Sequence, residues 1–194
     1  MEISNFGVAF KIIKRGESPP PGYTKSSGHI VFDVRMIFQR KARWMKDGHR
    51  TPDPDTSSYV GVVSRESIRI FLTHAALHGV PVMAADVQNA YLQAPTSEKN
   101  FVICGPEFGI ENIGKKVIIT RSLYGGKVAG RNFWHHLQSC MKFPRFEYSQ
   151  ADPDVWMRES FQKDGSTKYY EYVLLYTNDC LVISDRGENM LRLE

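Results

Sequence analysis

Three polar side chains in this chain have the types and spacing for phosphoryl-transfer chemistry. Residues 82–95 read VMAADVQNAYLQAP, an apolar strand ending in a single acid, Asp86. Residues 174–184 read LLYTNDCLVIS, two apolar runs flanking a short polar centre, which is the pattern of a β-hairpin with Asn178 and Asp179 at its tip. Carboxylates at facing strand ends supply the hard oxygen ligands that Mg²⁺ requires. Two such ions about 4 Å apart can activate an attacking hydroxyl and neutralise a leaving phosphate. The spacing therefore predicts that Asp86 and Asp179 come together with Asn178 beside them. The neutral amide at 178 removes one negative charge from that set.

The elements that must position these residues follow from periodicity and punctuation. The segment 6–14 alternates loosely and predicts an edge strand, and SPPPG (18–22) a turn or short extended linker. Residues 29–50 predict a long antiparallel β-ribbon with Ile30, Phe32, Val34 and Met36 on one face, turning at Asp47-Gly48 or at an earlier bend. Its Lys and Arg side chains are expected to be exposed. Ser64 predicts the cap of a helix over 65–78, with Ile68, Phe71, Leu72 and Ala75 as the apolar stripe and Gly79 as the stop. A strand over 80–86, a hairpin pairing 101–105 with 116–120, a helix from about 128 to 141, and strands at 154–158, 169–176 and 180–184 complete the set. In that helix Phe133, Trp134, Leu137 and Met141 are expected to face inward. The order predicts an α+β domain with helices backing one antiparallel sheet.

Composition bounds the partners. The 194 residues carry 42% hydrophobic and 24% charged residues, the profile of an ordinary globular chain. Residues 1–52 hold ten Lys/Arg against four Asp/Glu, a local +6 within a net +4, which leaves the remainder at −2. A basic segment beside a near-neutral one suits a polyanionic partner. Three widely spaced cysteines suggest no disulfide framework and no zinc ligand set. The start of the chain lacks a signal-peptide pattern, and no apolar run of about eighteen residues occurs, so the expected setting is intracellular with no membrane partner. His74/His78 and His135-His136 lack companion ligands and are expected to be surface or core residues.

Six blocks in register resemble the reverse transcriptase of Ty1/copia-type LTR retrotransposons: RKARWMKDG (40–48), VVSRESIRIFLTHAALHG (62–79), AADVQNAYLQAP (84–95), RSLYGGKVAGRNFW (121–134), ADPDVWM (151–157) and LLYTNDCLVIS (174–184). The resemblance covers roughly residues 30–185. It implies polymerase-like fingers and palm, with a protruding ribbon. The implied division is an N-terminal extension at 1–28, fingers at 29–79, palm at 80–185, and the start of a following segment at 186–194. It implies RNA-directed DNA synthesis on an RNA template and DNA primer from deoxynucleoside triphosphates, with two Mg²⁺ or Mn²⁺ ions.

By that resemblance Asp86 bridges both ions, the Val87 carbonyl and Asp179 are further ligands, and Asn178 stands where the family has a ligating Asp. Lys41 and Arg43 would meet the triphosphate. Tyr91 would sit beneath the incoming sugar and exclude a 2′-hydroxyl, and Lys127 and Arg131 would contact backbone phosphates. The rest of a Pol polyprotein (RNase H, integrase) would be the partner, in a cytoplasmic virus-like particle or the nucleus. Asn178, together with a chain that ends before any thumb, leads to the expectation of impaired catalysis or of a nucleic-acid-binding remnant.

Overall fold

The computed structural model describes residues 6–14, 16–34, 36, 38, 40–54 and 57–191. The chain forms two compact units interleaved in sequence: Met1–Tyr59 with Asn89–His136, and Val60–Gln88 with Leu137–Glu194. The fold is mixed α+β. Among the described residues the strands fall into three sheets rather than the single sheet expected.

The first unit opens with a single helical turn, α1 (Phe6–Ala9), and the edge strand β1 (Phe10–Ile12). Next come β2 (Thr24–Lys25) and the pair β3 (Gly28–Val34) and β4 (Arg40–Lys46). That pair is an antiparallel ribbon in which Gly28 faces Lys46 and Val34 faces Arg40. The chain therefore reverses between Val34 and Arg40, the earlier of the two expected bends. Asp47-Gly48 instead opens a 3₁₀ turn, Gly48–Arg50. Tip-ward residues Phe32, Val34, Met36 and Phe38 are exposed.

Lys46 overturns the expectation that the ribbon's basic residues are all exposed. It is buried, donates to Asn100 Oδ1 at 2.6 Å and pairs with Glu98 at 2.8 Å. Its backbone N–H donates to the Tyr124 carbonyl at 2.8 Å. Glycine is required here, since a Cβ on Gly48 would lie 2.0 Å from the Gly125 carbonyl oxygen and one on Gly125 2.1 Å from that of Lys46.

The second unit begins with α2 (Arg65–His78), bounded as its punctuation implies. Ser64 Oγ accepts the Ser67 N–H, and left-handed Gly79 returns its N–H to the Ala75 carbonyl. Ile68, Phe71 and Ala75 face the core, whereas Leu72 is exposed, a correction to the expected stripe. The next elements along the chain are β5 (Val82–Asp86), α3 (Ala90–Gln93), β6 (Asn100–Ile103), β7 (Lys116–Ile119) and α4 (Ala129–Lys142). In the first unit β1, β7, β6 and β2 form a four-stranded sheet. Of the α4 side chains expected inside, Phe133 is buried, Leu137 and Met141 pack on a core cluster, and Trp134 is half-buried. The chain continues through β8 (Glu147–Tyr148), β9 (Val155–Phe161), β10 (Lys168–Tyr176) and β11 (Asp179–Ile183) to α5 (Gly187–Leu191).

The five-stranded sheet, ordered β5-β11-β10-β9-β8, is antiparallel throughout and buried on both faces. Val155, Leu174 and Ile183 turn to the α2 side, while Trp156, Val173, Leu175 and Val182 turn to Leu137 and Met141 of α4. Helical elements thus cover two faces rather than one, which explains why β10 reads as a nearly unbroken apolar run. β8 covers β9 only at Trp156 and Met157. No helix among the described residues is long and apolar enough to cross a membrane, and none of the three cysteines is in a disulfide.

Two polar arrangements fix this unit. Fully buried Glu171 accepts from Arg158 Nε at 2.8 Å, Ser184 Oγ at 2.7 Å and Tyr169 Oη at 3.2 Å. Arg158 in turn donates to the Pro144 carbonyl and lies over the Phe146 ring. Arg158→Ala should therefore cost about 3–5 kcal/mol in urea unfolding, because it strands a buried carboxylate, and Arg158→Ala/Glu171→Leu should recover part of that loss.

Asp152 ties its loop to α2 by accepting from Ser64 N at 2.9 Å and Ser67 Oγ at 2.6 Å. Desolvation raises its pKa, but these donors and the Asp154 N–H outweigh it and hold the carboxyl below the usual range. A depressed folded pKa contributes stability that is complete above the unfolded value of about 3.9 and lost as pH falls through the folded one. Asp152→Ala should cost about 1–2 kcal/mol at neutral pH, with the difference shrinking once both proteins are measured below that folded pKa.

Candidate active site

The tip of the β10–β11 hairpin is a two-residue turn, Thr177-Asn178, between Tyr176 and Asp179. Thr177 has φ 55°, in the left-handed region that β-branched residues avoid. On its other edge β11 pairs with β5, and the register sets Asp179 directly opposite Asp86. Partners in an antiparallel ladder have backbones about 4.5–5.5 Å apart and side chains on the same face. Both carboxylates are exposed and Asn178 is half-buried. The Val87 N–H donates to the Asn178 carbonyl at 2.8 Å, carrying the contact one residue past Asp86. The Asn178 amide Nδ2 donates to Asp86 Oδ1. Beneath the tip, Cys180 Sγ contacts the Ala85 carbonyl at 3.5 Å, and burial pushes its thiol up.

The fit to divalent ions follows from these donors. Asp86 and Asp179 are the right residue type, and they are apposed. The third position presents an N–H donor, already placed on Asp86, where a pair of ions needs another anionic oxygen. Among the described residues no group of three His, Cys, Asp or Glu side chains is arranged to hold a metal. The set therefore does not fit two ions as it stands.

The other candidates lie in the first unit. Tyr91, on α3, stacks at a tilt on Tyr124 with ring centroids 4.7 Å apart and meets Phe133 edge-on at 6.1 Å. Lys41 and Arg43 lie on β4 and are half-buried, not exposed as expected. The Arg43 guanidinium sits 5.4 Å from the Tyr124 ring centroid. Tyr124 is thus a platform shared by Tyr91 and Arg43, a role whose only sequence signal is an aromatic residue before Gly125-Gly126.

Lys127 donates to the Thr51 carbonyl and to Asp53 Oδ1, both at 2.7 Å. The hydrogen bond and charge of Lys127 hold the Asp53 carboxyl below its usual range. Arg131 donates to the Ser57 carbonyl at 2.9 Å and to His135 Nε2 at 3.3 Å. These two cations hold Thr51, Asp53 and Ser57 to the start of α4. His74 and His78 stack on each other with centroids 4.3 Å apart.

This α+β chain aligns two carboxylates, one at a strand end and one at a hairpin tip. It belongs to the reverse transcriptase (RNA-dependent DNA polymerase) family, whose model matches residues 28–193. Two curated plant relatives support the resemblance to copia-type elements. The chain is 33% identical over 130 residues, 65% of this chain, to a retrovirus-related Pol polyprotein from transposon TNT 1-94 of Nicotiana tabacum. It is 26% identical over 172 residues, 84% of this chain, to that from transposon RE2 of Arabidopsis thaliana. The matched stretches are 9% and 11% of those relatives' lengths.

Because Lys127 and Arg131 act as staples on Thr51, Asp53 and Ser57, Lys127→Ala/Arg131→Ala should expose the backbone at those residues to protease. Limited proteolysis followed by mass spectrometry should find cleavage there several-fold faster than in the unmodified protein, with the rest of the digestion pattern unchanged.

Proposed function

We propose that this chain is an RNA-directed DNA polymerase domain of a copia-type element whose catalysis is impaired at the hairpin tip. The observation that carries this is the Asn178 amide donating to Asp86. In this reading Asp86, Asp179 and the Val87 carbonyl would hold a divalent ion, which when bound lowers the pKa of a primer 3′-hydroxyl and offsets triphosphate charge. Asn178 withholds the charge needed for a second. The five-stranded sheet and its hairpin act as palm, and the β3–β4 ribbon as fingers.

Arg43, its guanidinium over the Tyr124 ring, and Lys41 two residues earlier on the same strand take the triphosphate of a deoxynucleoside triphosphate. Tyr91, braced by Tyr124 and Phe133, limits the space at the sugar. Lys127 and Arg131 reach nucleic-acid phosphates only by giving up Asp53 and Ser57. The substrates are an RNA template and DNA primer, the remaining Pol segments the natural partners, and the setting intracellular. A second reading, a non-catalytic nucleic-acid-binding role, draws on the same amide together with the +6 charge of residues 1–52.

Single-nucleotide addition to a DNA primer on an RNA template separates them. With Mg²⁺ the unmodified chain should be slower than Asn178→Asp by about 10²-fold or more, roughly 2.7 kcal/mol or above in transition-state stabilisation. Equal rates would show that Asp86 and Asp179 suffice. Retained binding of the hybrid with no addition by either protein would favour the second reading.

A further inference from the structure

We propose that Asn178 is a positioning residue that takes the place of a cation at Asp86, so that the hairpin tip is held on β5 independently of divalent ions. The inference rests on the reading of Asp86 and Asp179 as the ion-holding carboxylates, but it concerns how the tip is kept in place, not whether it turns over.

Three observations on the same few residues carry it. Asp86 and Asp179 are ladder partners, and like charges directly opposite push strands apart. The Val87 N–H fixes the Asn178 backbone at 2.8 Å, which leaves the side chain little choice of where to reach. Its Nδ2 then donates to Asp86 Oδ1, and a hydrogen bond to an ionised acceptor is among the stronger ones. The amide thus supplies, from within the chain, the positive end that a bound ion would otherwise supply.

Together with the Tyr176–Asp179 ladder pair, these contacts hold both flanks of Thr177, whose φ of 55° persists only where its surroundings fix it. An aspartate on the same backbone would put a third carboxylate against the other two. That tip would hold together only with a cation present, and its stability would rise with ion concentration by linkage. Dependence of the fold on divalent ions is therefore set by the residue at 178.

Thermal unfolding of the whole chain in EDTA and in millimolar Mg²⁺ or Mn²⁺ tests this, with Asn178→Asp and Asn178→Ala alongside. The unmodified protein should be fully folded in EDTA and, with one ion site, gain less from Mg²⁺ or Mn²⁺ than the Asn178→Asp variant. Asn178→Asp should melt lower in EDTA by about 2–4 °C or more and regain that difference with ion, while Asn178→Ala should fall in EDTA and regain less. Failure of Asn178→Asp to fold without ion and recovery on Mg²⁺ also supports the proposal.

If that variant folds in neither condition, the Asn178 side-chain amide of the unmodified protein decides by NMR. Slow solvent exchange of that amide already present in EDTA upholds the proposal, whereas fast exchange in EDTA overturns it. An unmodified protein whose melting temperature climbs with Mg²⁺ as far as the Asn178→Asp variant's overturns it too. Robust nucleotide addition by the unmodified chain would remove the proposed impairment and leave this inference standing.

Discussion

The register of β11 is the constraint on which the rest of the second unit depends. This strand is hydrogen-bonded along both edges, to β5 and β10, and its consecutive residues Val182 and Ile183 enter clusters on opposite faces of the sheet. A slip of one residue would exchange those faces and drive each side chain into the wrong cluster. Packing at the inner end of the strand therefore dictates what happens at its outer end, where Asp179 is delivered opposite Asp86. The polar tip contributes little to choosing the register, and it inherits the one chosen by aliphatic side chains.

Much of this was legible because the signals are local. Ser64 and Gly79 bracket α2 by their own capping chemistry, and the two apolar runs around Thr177-Asn178 could pair only as a hairpin. The approach of Asp86 to that hairpin was readable through the six blocks in register, because a lone acid at a strand end does not by itself name its partner. Leu72 shows the limit of periodicity. It is one position from Phe71, and sequence spacing does not say how wide the buried stripe is.

The charges were the part that sequence concealed. Lys46, Arg43, Lys127 and Arg131 all read as basic residues on a surface, yet each is spoken for by a partner far along the chain. Lys46 reaches Asn100 across 54 residues, and Lys127 reaches Asp53 across 74. Local patterns carry no trace of such pairings, because they depend on how the two interleaved stretches of the first unit come together. A count of positive residues measures the field around that unit well, and the number of free hydrogen-bond donors poorly.

The short reach of β8 has a consequence for solubility. Beyond Trp156 and Met157, β9 runs on to Phe161 with an outer edge that β8 leaves uncovered. Exposed strand edges invite pairing with other molecules, the more so beside exposed aromatics such as Phe161 and Tyr170. The ion pair of Glu159 with Lys168, joined by the Tyr170 hydroxyl, puts charge along that same stretch. Of these side chains Glu159 lies on β9 itself, and charge beside an uncovered edge disfavours edge-to-edge pairing.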